Sequence, residues 1–261
     1  MKQPLAGLVV VVTRPARQAT RFIAMLQECG ASAVAFPTVT IEPVPLDDGV
    51  RAALAAQPPD WVVYTSANAV EQALAQAGRL PQAATAVIGR ATARAVAAAG
   101  IRVDAIPATG ADSEGLLALP AFASPSGQHI VVFKGVGGRD ALRAELVRRG
   151  ATVIVAEVYR RLPVVPAGGS LEKVASACAT PAPVIAATSV EVLESLLQLV
   201  PDSRAPRLKD ATLLVPGERV AAAARRHDWR GPIAVARGAE DEAMLAALIE
   251  RRAVGGSSAP A

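Results

Sequence analysis

At 261 residues, with 52% hydrophobic and 19% charged, the chain can build one large domain or two ordinary ones and is excluded from the disordered class. Aromatic residues are only 3%, so the core must be mostly Ala, Val and Leu, and a nucleic acid stacked on an aromatic platform is not expected. The net charge of +4 favours acidic partners only weakly, because the arginines are scattered over polar faces of expected helices (Arg143, Arg148, Arg149, Arg225, Arg226).

Apolar β-branched runs alternate with helical patterns almost throughout. Leu8 to Val12 predicts a strand and Arg17 to Glu28 a helix, and a long extended stretch runs from Ala33 to Pro45. Then come helix Val50 to Ala56, strand Trp61 to Tyr64, helix Ala69 to Ala77, strand Ala86 to Ile88 and helix Thr92 to Ala99. Strand Val103 to Ile106, helix Glu114 to Leu119, strand Ile130 to Phe133 and helix Arg139 to Arg149 follow. A second extended stretch covers Thr152 to Tyr159. After Pro163 the pattern gives helix Leu171 to Cys178, strand Val184 to Ala187, helix Val190 to Leu199 and strand Thr212 to Val215. Helix Arg219 to Arg226, strand Ile233 to Ala236 and helix Asp241 to Arg252 close it. Continuous apolar strands flanked by helices predict α/β architecture with parallel sheets covered on both faces. Gly30, Gly100 and Gly150 fall where helices end, at positions that favour positive φ.

The apolar start runs straight into Thr13-Arg14-Pro15 without a small-residue cleavage site, so it reads as a buried first strand rather than a signal peptide. No stretch is long and apolar enough to span a membrane, and residues 255–261 have the composition of a disordered tail. Two cysteines (Cys29, Cys178) and two histidines (His129, His227) form no recognisable metal cluster. Both cysteines read as small core residues of a protein in a reducing, cytoplasmic compartment.

The chain echoes itself. The unit from Leu8 through Gly30-Ala-Ser-Ala-Val34 returns from Ile130 through Gly150-Ala-Thr-Val-Ile154. The run Trp61-Val-Val-Tyr-Thr-Ser-Ala-Asn-Ala-Val70 returns at Val184-Ile-Ala-Ala-Thr-Ser-Val-Glu-Val192, and Ala86-Val-Ile-Gly-Arg-Ala-Thr-Ala-Arg-Ala-Val96 at Leu213-Leu-Val-Pro-Gly-Glu-Arg-Val-Ala-Ala-Ala223. Three echoes suggest duplication. The long extended stretches read as crossings between two domains. The first domain is then discontinuous, 1–36 plus 163–254; the second is 46–156; and 37–45 with 157–162 cross between them.

No phosphate-loop, dinucleotide, nucleophile-elbow or zinc-protease signature is present. What stands at the expected strand ends is small and hydroxylic, with a few cations: Thr13-Arg14, Thr65-Ser66-Ala-Asn68, Gly89-Arg-Ala-Thr92, Lys134-Gly135, Thr188-Ser189 and Gly217-Glu-Arg219. Ligands of open α/β sheets bind beyond those ends, where helix N-termini offer free N–H groups. Each hydroxyl alone is better explained as a helix cap than as a ligand; the cluster is what suggests a site for an acidic small molecule. Gly135-Val-Gly-Gly-Arg139 is read equally as a tight turn or as an anion-holding loop flanked by Lys134 and Arg139. Tyr159, one of two tyrosines, either packs its ring at the domain junction or offers its phenol as donor or proton carrier. Catalysis without paired carboxylates or a Ser/His/Asp set would rest on positioning and charge stabilisation.

Val12-Thr-Arg-Pro15, Gly30-Ala31 with Pro37, Tyr64-Thr-Ser-Ala-Asn-Ala-Val70, Val87-Ile-Gly-Arg-Ala-Thr-Ala93, Lys134-Gly135 with Gly138-Arg139, and Val158-Tyr-Arg-Arg161 resemble, in that order, the uroporphyrinogen-III synthase family. The resemblance reaches to about Val254. It implies two flavodoxin-like α/β domains joined by a two-stranded β-ladder. The activity it implies is closure of hydroxymethylbilane, an octacarboxylic linear tetrapyrrole, with inversion of ring D and loss of water. It implies no cofactor and no metal. Tyr159 falls at the family tyrosine thought to assist departure of the hydroxyl. Thr65, Ser66 and Asn68 fall in the product-facing motif, with Thr188 and Ser189 in the matching turn of the other domain. Thr13, Arg14, Gly89, Thr92, Lys134, Gly135, Arg139 and Arg219 complete the expected substrate contacts. Two departures stand out. Gly217-Glu-Arg-Val-Ala221 replaces a threonine-bearing turn, leaving Arg219 to contribute charge, and Lys134 stands where relatives often carry Arg, whose planar fork a lysine lacks. The expected protein is a monomer without nucleic-acid or membrane partner, with hydroxymethylbilane synthase as a candidate transient partner. A non-catalytic two-domain hinge protein for an acidic small molecule is the alternative; a nucleotide-sugar transferase would lack any nucleotide site.

Overall fold

The structure is a computed structural model that describes residues 3–77, 82–108, 112–137 and 140–256. The described elements, in chain order, begin with β1 (Val9–Val12), α1 (Ala16–Glu28), β2 (Ser32–Ala35), β3 (Val39–Pro43), α2 (Asp48–Ala56), β4 (Trp61–Tyr64) and α3 (Ala67–Ala77). Next are β5 (Ala84–Val87), α4 (Arg90–Ala98), α5 (Ser113–Leu117), β6 (His129–Gly135), α6 (Ala141–Arg148) and β7 (Thr152–Pro163). The last are α7 (Ser170–Cys178), β8 (Pro183–Ala186), α8 (Val190–Leu199), β9 (Thr212–Val215), α9 (Glu218–Arg226), β10 (Ile233–Val235) and α10 (Asp241–Gly256). The chain divides into two compact units, residues 1–40 with 162–261, and residues 41–161.

The first unit carries a five-stranded sheet in the order β10-β9-β8-β1-β2. Every strand pair in it is parallel. Counted within the unit, this is the doubly wound order of flavodoxin, reversing direction between β1 and β8. The four valines of β1 follow from that position. Val11 enters one hydrophobic cluster, with Ile185 and Leu213, while Val10 and Val12 enter another, with Phe22 and Leu26. A strand with helices on both faces has no polar side, so its sequence shows no alternation.

The second unit repeats the plan in the order β3-β7-β6-β4-β5. β4 pairs in parallel with β5 and β6, and β6 with β7. Its reversal lies between β4 and β6. Val62 and Tyr64 feed one cluster and Val63 the other, and along β6 Val131 and Phe133 alternate with Ile130 and Val132. The sequence echoes thus have a topological meaning. Two of them pair β1 with β6 and β4 with β8, the four strands that flank the two reversal points, each of which opens a β-α-β unit; the third pairs β5 with β9, the next strands outward.

β3 and β7 are the strands by which the chain passes from one unit to the other and back, and they are neighbours in the second sheet. Val44 N–H donates to the Val158 carbonyl at 3.0 Å and Val164 N–H to the Thr38 carbonyl at 3.1 Å. One number rises as the other falls, so these strands run antiparallel.

Several boundaries differ from expectation. The stretch 33–45 is two strands, not one. Phe36 N–H still donates to Val12, but Pro37 has no N–H to continue the ladder. β7 continues past Tyr159 to Pro163. Residues 103–106 are no strand; Ala105 forms a single bridge to Ala86. Asp104 and Ala105 both donate to the Thr85 carbonyl, at 2.8 and 3.1 Å, and the Asp104 carboxylate takes the Thr85 N–H, so no ladder can propagate. α10 runs to Gly256, two residues into the expected disordered tail; the rest of that tail lies outside the described residues. Gly30, Gly100 and Gly150 have φ of 91°, 73° and 88°, the left-handed conformation expected of residues that close helices.

α6 ends in a charge cluster. Glu145 accepts from Arg148 and from Arg149, each at 2.7 Å, and these bonds hold its carboxyl down to about pH 2 against an ordinary value of 4.5. A depressed acid stabilises the fold above the unfolded value and loses that contribution as pH falls through the folded one. Glu145→Gln should therefore lower the melting temperature slightly at pH 7, with the difference from wild type vanishing near pH 2. A difference that stays constant across that fall in pH would refute this.

Candidate functional site

In each unit the reversal point lies between two neighbouring strands, beyond whose carboxyl ends ligands of such sheets bind, and most of the residues singled out in sequence follow those strands. The two reversal points share a local design. After the strand beside the reversal, a Thr-Ser turn leads into a helix capped by the serine: Ser66 Oγ accepts Ala69 N–H at 3.1 Å at the start of α3, and Ser189 Oγ accepts Val192 N–H at 3.2 Å at the start of α8. After the next strand outward, a glycine replaces the serine. Gly89 precedes α4 and Gly217 precedes α9, neither helix having a side-chain cap. Their first-turn N–H groups have no partner inside the helix, and the helix dipole favours an anion beside them.

In the first unit, two of the expected contacts are engaged within the fold. Thr13 is fully buried, and its Oγ1 donates to the Ala186 carbonyl at 2.7 Å, pinning β1 to β8. Arg14 is buried too, ion-paired with Asp241, hydrogen-bonded to the Ala239 carbonyl at 3.1 Å and lying 4.6 Å over the Phe22 ring. Both therefore act as fasteners of the strand end rather than as exposed donors. Thr188 and Ser189 lie half-buried at the end of β8, and Arg219 is exposed in the first turn of α9.

In the second unit the expected residues converge. Tyr159 is 3% exposed, and its hydroxyl lies 3.0 Å from Ser66 Oγ. Arg161, two residues along β7 and on the same side, donates from Nη2 to that hydroxyl at 3.3 Å, its guanidinium 5.6 Å from the ring centre. The ring lies against Gly135, where a Cβ would come within 2.7 Å of Tyr159 Cζ. A register shift between Lys134 and Gly135 turns the ring into that gap: Lys134 faces Glu157, and Gly135 faces Tyr159. Thr65 Oγ1 donates to the Phe133 carbonyl at 3.2 Å, Asn68 is 9% exposed in the first turn of α3, and Thr92 is buried in the first turn of α4. Lys134 stays half-buried at the end of β6. The Gly135-Val-Gly loop has one amide already matched to an anion, since Gly137 N–H donates to the Glu157 carboxylate at 3.2 Å. Arg139 lies outside the described residues.

Sequence reading passed over two members of this group. Arg161 was within reach, because residues two apart on a strand share a face. Gln76 was not. From near the end of α3 its amide donates to the carbonyls of Val44 and Val158, at 2.9 and 3.0 Å, and accepts Leu46 N–H at 2.9 Å, binding the helix to the strand beside Tyr159. Nothing in the spacing marks it.

The other tyrosine is no rival. Tyr64 is 1% exposed, stacked on Phe133 at 5.3 Å, and burial raises its pKa well above the ordinary value. Burial likewise pushes the Cys178 thiol up to about 11, so it stays protonated. Among the described residues no group of three His, Cys, Asp or Glu could hold a metal ion, and no helix is long and apolar enough to cross a membrane.

Comparison with known proteins gives a consistent picture. Residues 20–246 match the HEM4 family, described as "Uroporphyrinogen-III synthase HemD". The chain is 31% identical over 250 residues to the uroporphyrinogen-III synthase of Escherichia coli, covering 92% of this chain and 99% of that one. It is 34% identical over 170 residues to that of Synechococcus elongatus, covering 60% of this chain and 62% of that one. A mutant uroporphyrinogen III synthase of Thermus thermophilus matches in fold with a TM-score of 0.59 at 21% identity, over 95% of this chain and 99% of that one. The corresponding protein of Helicobacter pylori gives 0.63 at 14% identity, over 94% and 99%.

Proposed function

Since the chain belongs to the uroporphyrinogen-III synthase family, we infer that it closes hydroxymethylbilane to uroporphyrinogen III, inverting ring D and releasing water, as a cofactor-independent cyclising lyase. The single observation that carries the chemistry is the seat of Tyr159: a phenol fixed by Ser66, Arg161 and the bare backbone of Gly135 at a strand end. A hydroxide leaves poorly, and a proton delivered in place turns it into water. The carbon left behind is an azafulvene cation. Ring D attacks it through its substituted carbon, and the spiro intermediate fragments and recloses with the ring turned.

The substrate closes unaided to the wrong isomer, so the protein's task is to hold one trajectory. Holding falls to groups that bind carboxylates without reacting: Thr65, Asn68, Lys134 and the α4 N-terminus after Gly89 in the second unit, and Thr188, Ser189 and Arg219 in the first. Arg139 is kept as a further cation on sequence alone. Thr13, Arg14 and Thr92 support the backbone that carries them. We further propose that the protein works as a cytoplasmic monomer and takes its substrate from hydroxymethylbilane synthase in a transient encounter.

The test is to supply freshly made hydroxymethylbilane, oxidise the products and separate the porphyrin isomers. Isomer III in excess is expected. Isomer I alone would sink the synthase reading in favour of a non-catalytic binder.

A further inference from the structure

We propose that Ser66 Oγ, rather than the Tyr159 phenol, hands the proton to the departing hydroxyl, with Tyr159 reloading Ser66 from behind and Arg161 acting as a positioning residue; this deepens the synthase reading and rests on it. Exposure gives the first argument. Tyr159 is almost wholly enclosed, 3% exposed, whereas Ser66 is half-buried at the start of α3. Of the two bonded residues, Ser66 presents more surface to a substrate.

Hydrogen counting gives the second. A guanidinium only donates, so Arg161 occupies a lone pair of the phenol oxygen. Ala69 N–H occupies a lone pair of Ser66 Oγ. The 3.0 Å bond between the two oxygens can run either way. If Ser66 donated, the phenol proton would have to find an acceptor in enclosed surroundings. If Tyr159 donates, its proton is matched, and the Ser66 O–H is left to face the ligand. A cationic donor on the phenol oxygen also polarises its O–H, making it the better donor and poorer acceptor of the pair. The bonds therefore run in one direction, from Arg161 to Tyr159 to Ser66 to substrate.

The step balances. As the C–O bond breaks, its electron pair stays on the oxygen, which takes the Ser66 proton and leaves as water. Ser66 takes the phenol proton in the same motion, and the negative charge comes to rest on the phenol oxygen beside Arg161. The free pyrrole carbon of ring D that attacks the azafulvene methylene in the final closure carries a hydrogen. Its loss as a proton restores the ring, and that proton returns through Ser66 to Tyr159.

The experiment measures kcat and KM for isomer III formation in wild type, Ser66→Ala, Tyr159→Phe and the double variant. Each single change should lower kcat by about 10²-fold with little change in KM, and the double should be no slower than the slower single, because one chain is broken once. Ser66→Thr, which keeps a hydroxyl, should recover most of the rate, and Arg161→Lys should recover part of what Arg161→Met loses. Ser66→Gly serves if the alanine variant misfolds, since glycine is well tolerated at a helix start. Wild-type turnover in both Ser66→Ala and Ser66→Gly overturns the relay while leaving the synthase reading intact. So does a double variant slower by the product of the two losses. Wild type that yields isomer I alone overturns both.

Discussion

Gly135→Ala should lower kcat/KM for isomer III formation by about 10²-fold, although the change adds only one methyl group. The added Cβ would stand 2.7 Å from Tyr159 Cζ, 2.9 Å from Cε2 and 3.0 Å from the hydroxyl oxygen. Carbons do not approach so closely, so either the ring or the strand must move. The ring is bonded to Ser66 at its hydroxyl, with the Arg161 guanidinium 5.6 Å from its centre. Moving it breaks the 3.0 Å bond that carries the proton. The strand is tied as well, since Val136 N–H donates to the Tyr159 carbonyl at 2.7 Å. Overpacking of this kind also costs about 1–3 kcal/mol of stability. The discriminating measurement is the background. In Tyr159→Phe, whose proton is already gone, Gly135→Ala should cost little further activity. An equal loss in both backgrounds would mean that Gly135 acts on something other than the phenol.

Asp241→Ala should destabilise the first unit by about 3–5 kcal/mol. The Asp241 side chain is 12% exposed and its partner Arg14 7%, and Arg14 Nε has no hydrogen-bond partner, so the carboxylate is the main compensation for an enclosed cation. Removing it leaves a charge that can neither reach water nor lose its proton. Of a typical total of about 5–15 kcal/mol this is a large share, and it should appear as a fall of about 10 °C in the unit's melting temperature. Arg14→Met combined with Asp241→Leu should be milder than Asp241→Ala alone, because both charges leave together. A double variant as unstable as the single would show that packing, not the stranded charge, sets the cost.

Much of this architecture was legible in sequence, for local reasons. Val9–Val12 and Ile130–Phe133 lack alternation because both faces of their strands are covered, and Gly30, Gly100 and Gly150 mark backbone that only glycine adopts without strain. Ser66 and Ser189 could be read as caps because each lies within one turn of the amide it accepts. The contacts that did not show are distant ones. Thr13 looks like a free hydroxyl until its acceptor, 173 residues on, is known, and Arg14 looks like an anion site until Asp241, 227 residues on, is placed beside it. Residues 103–106 have strand composition, yet the Asp104 side chain competes for the backbone donor that a ladder needs.

The passage of the chain through β3 and back through β7 has a consequence for how the protein is made. Residues 41–161 form one uninterrupted stretch, complete as soon as they leave the ribosome. The first unit must wait, because β1 sits mid-sheet and one of its two neighbours, β8, begins only at Pro183. The usual N-terminal-first order of synthesis is thereby inverted, and the later half of the chain completes the earlier one. For that interval Val9–Val12 carries an open edge of four valines, the kind of segment that pairs with strangers. The exposure of this strand is therefore set by the order of synthesis, and it ends only once β8 has been made and paired.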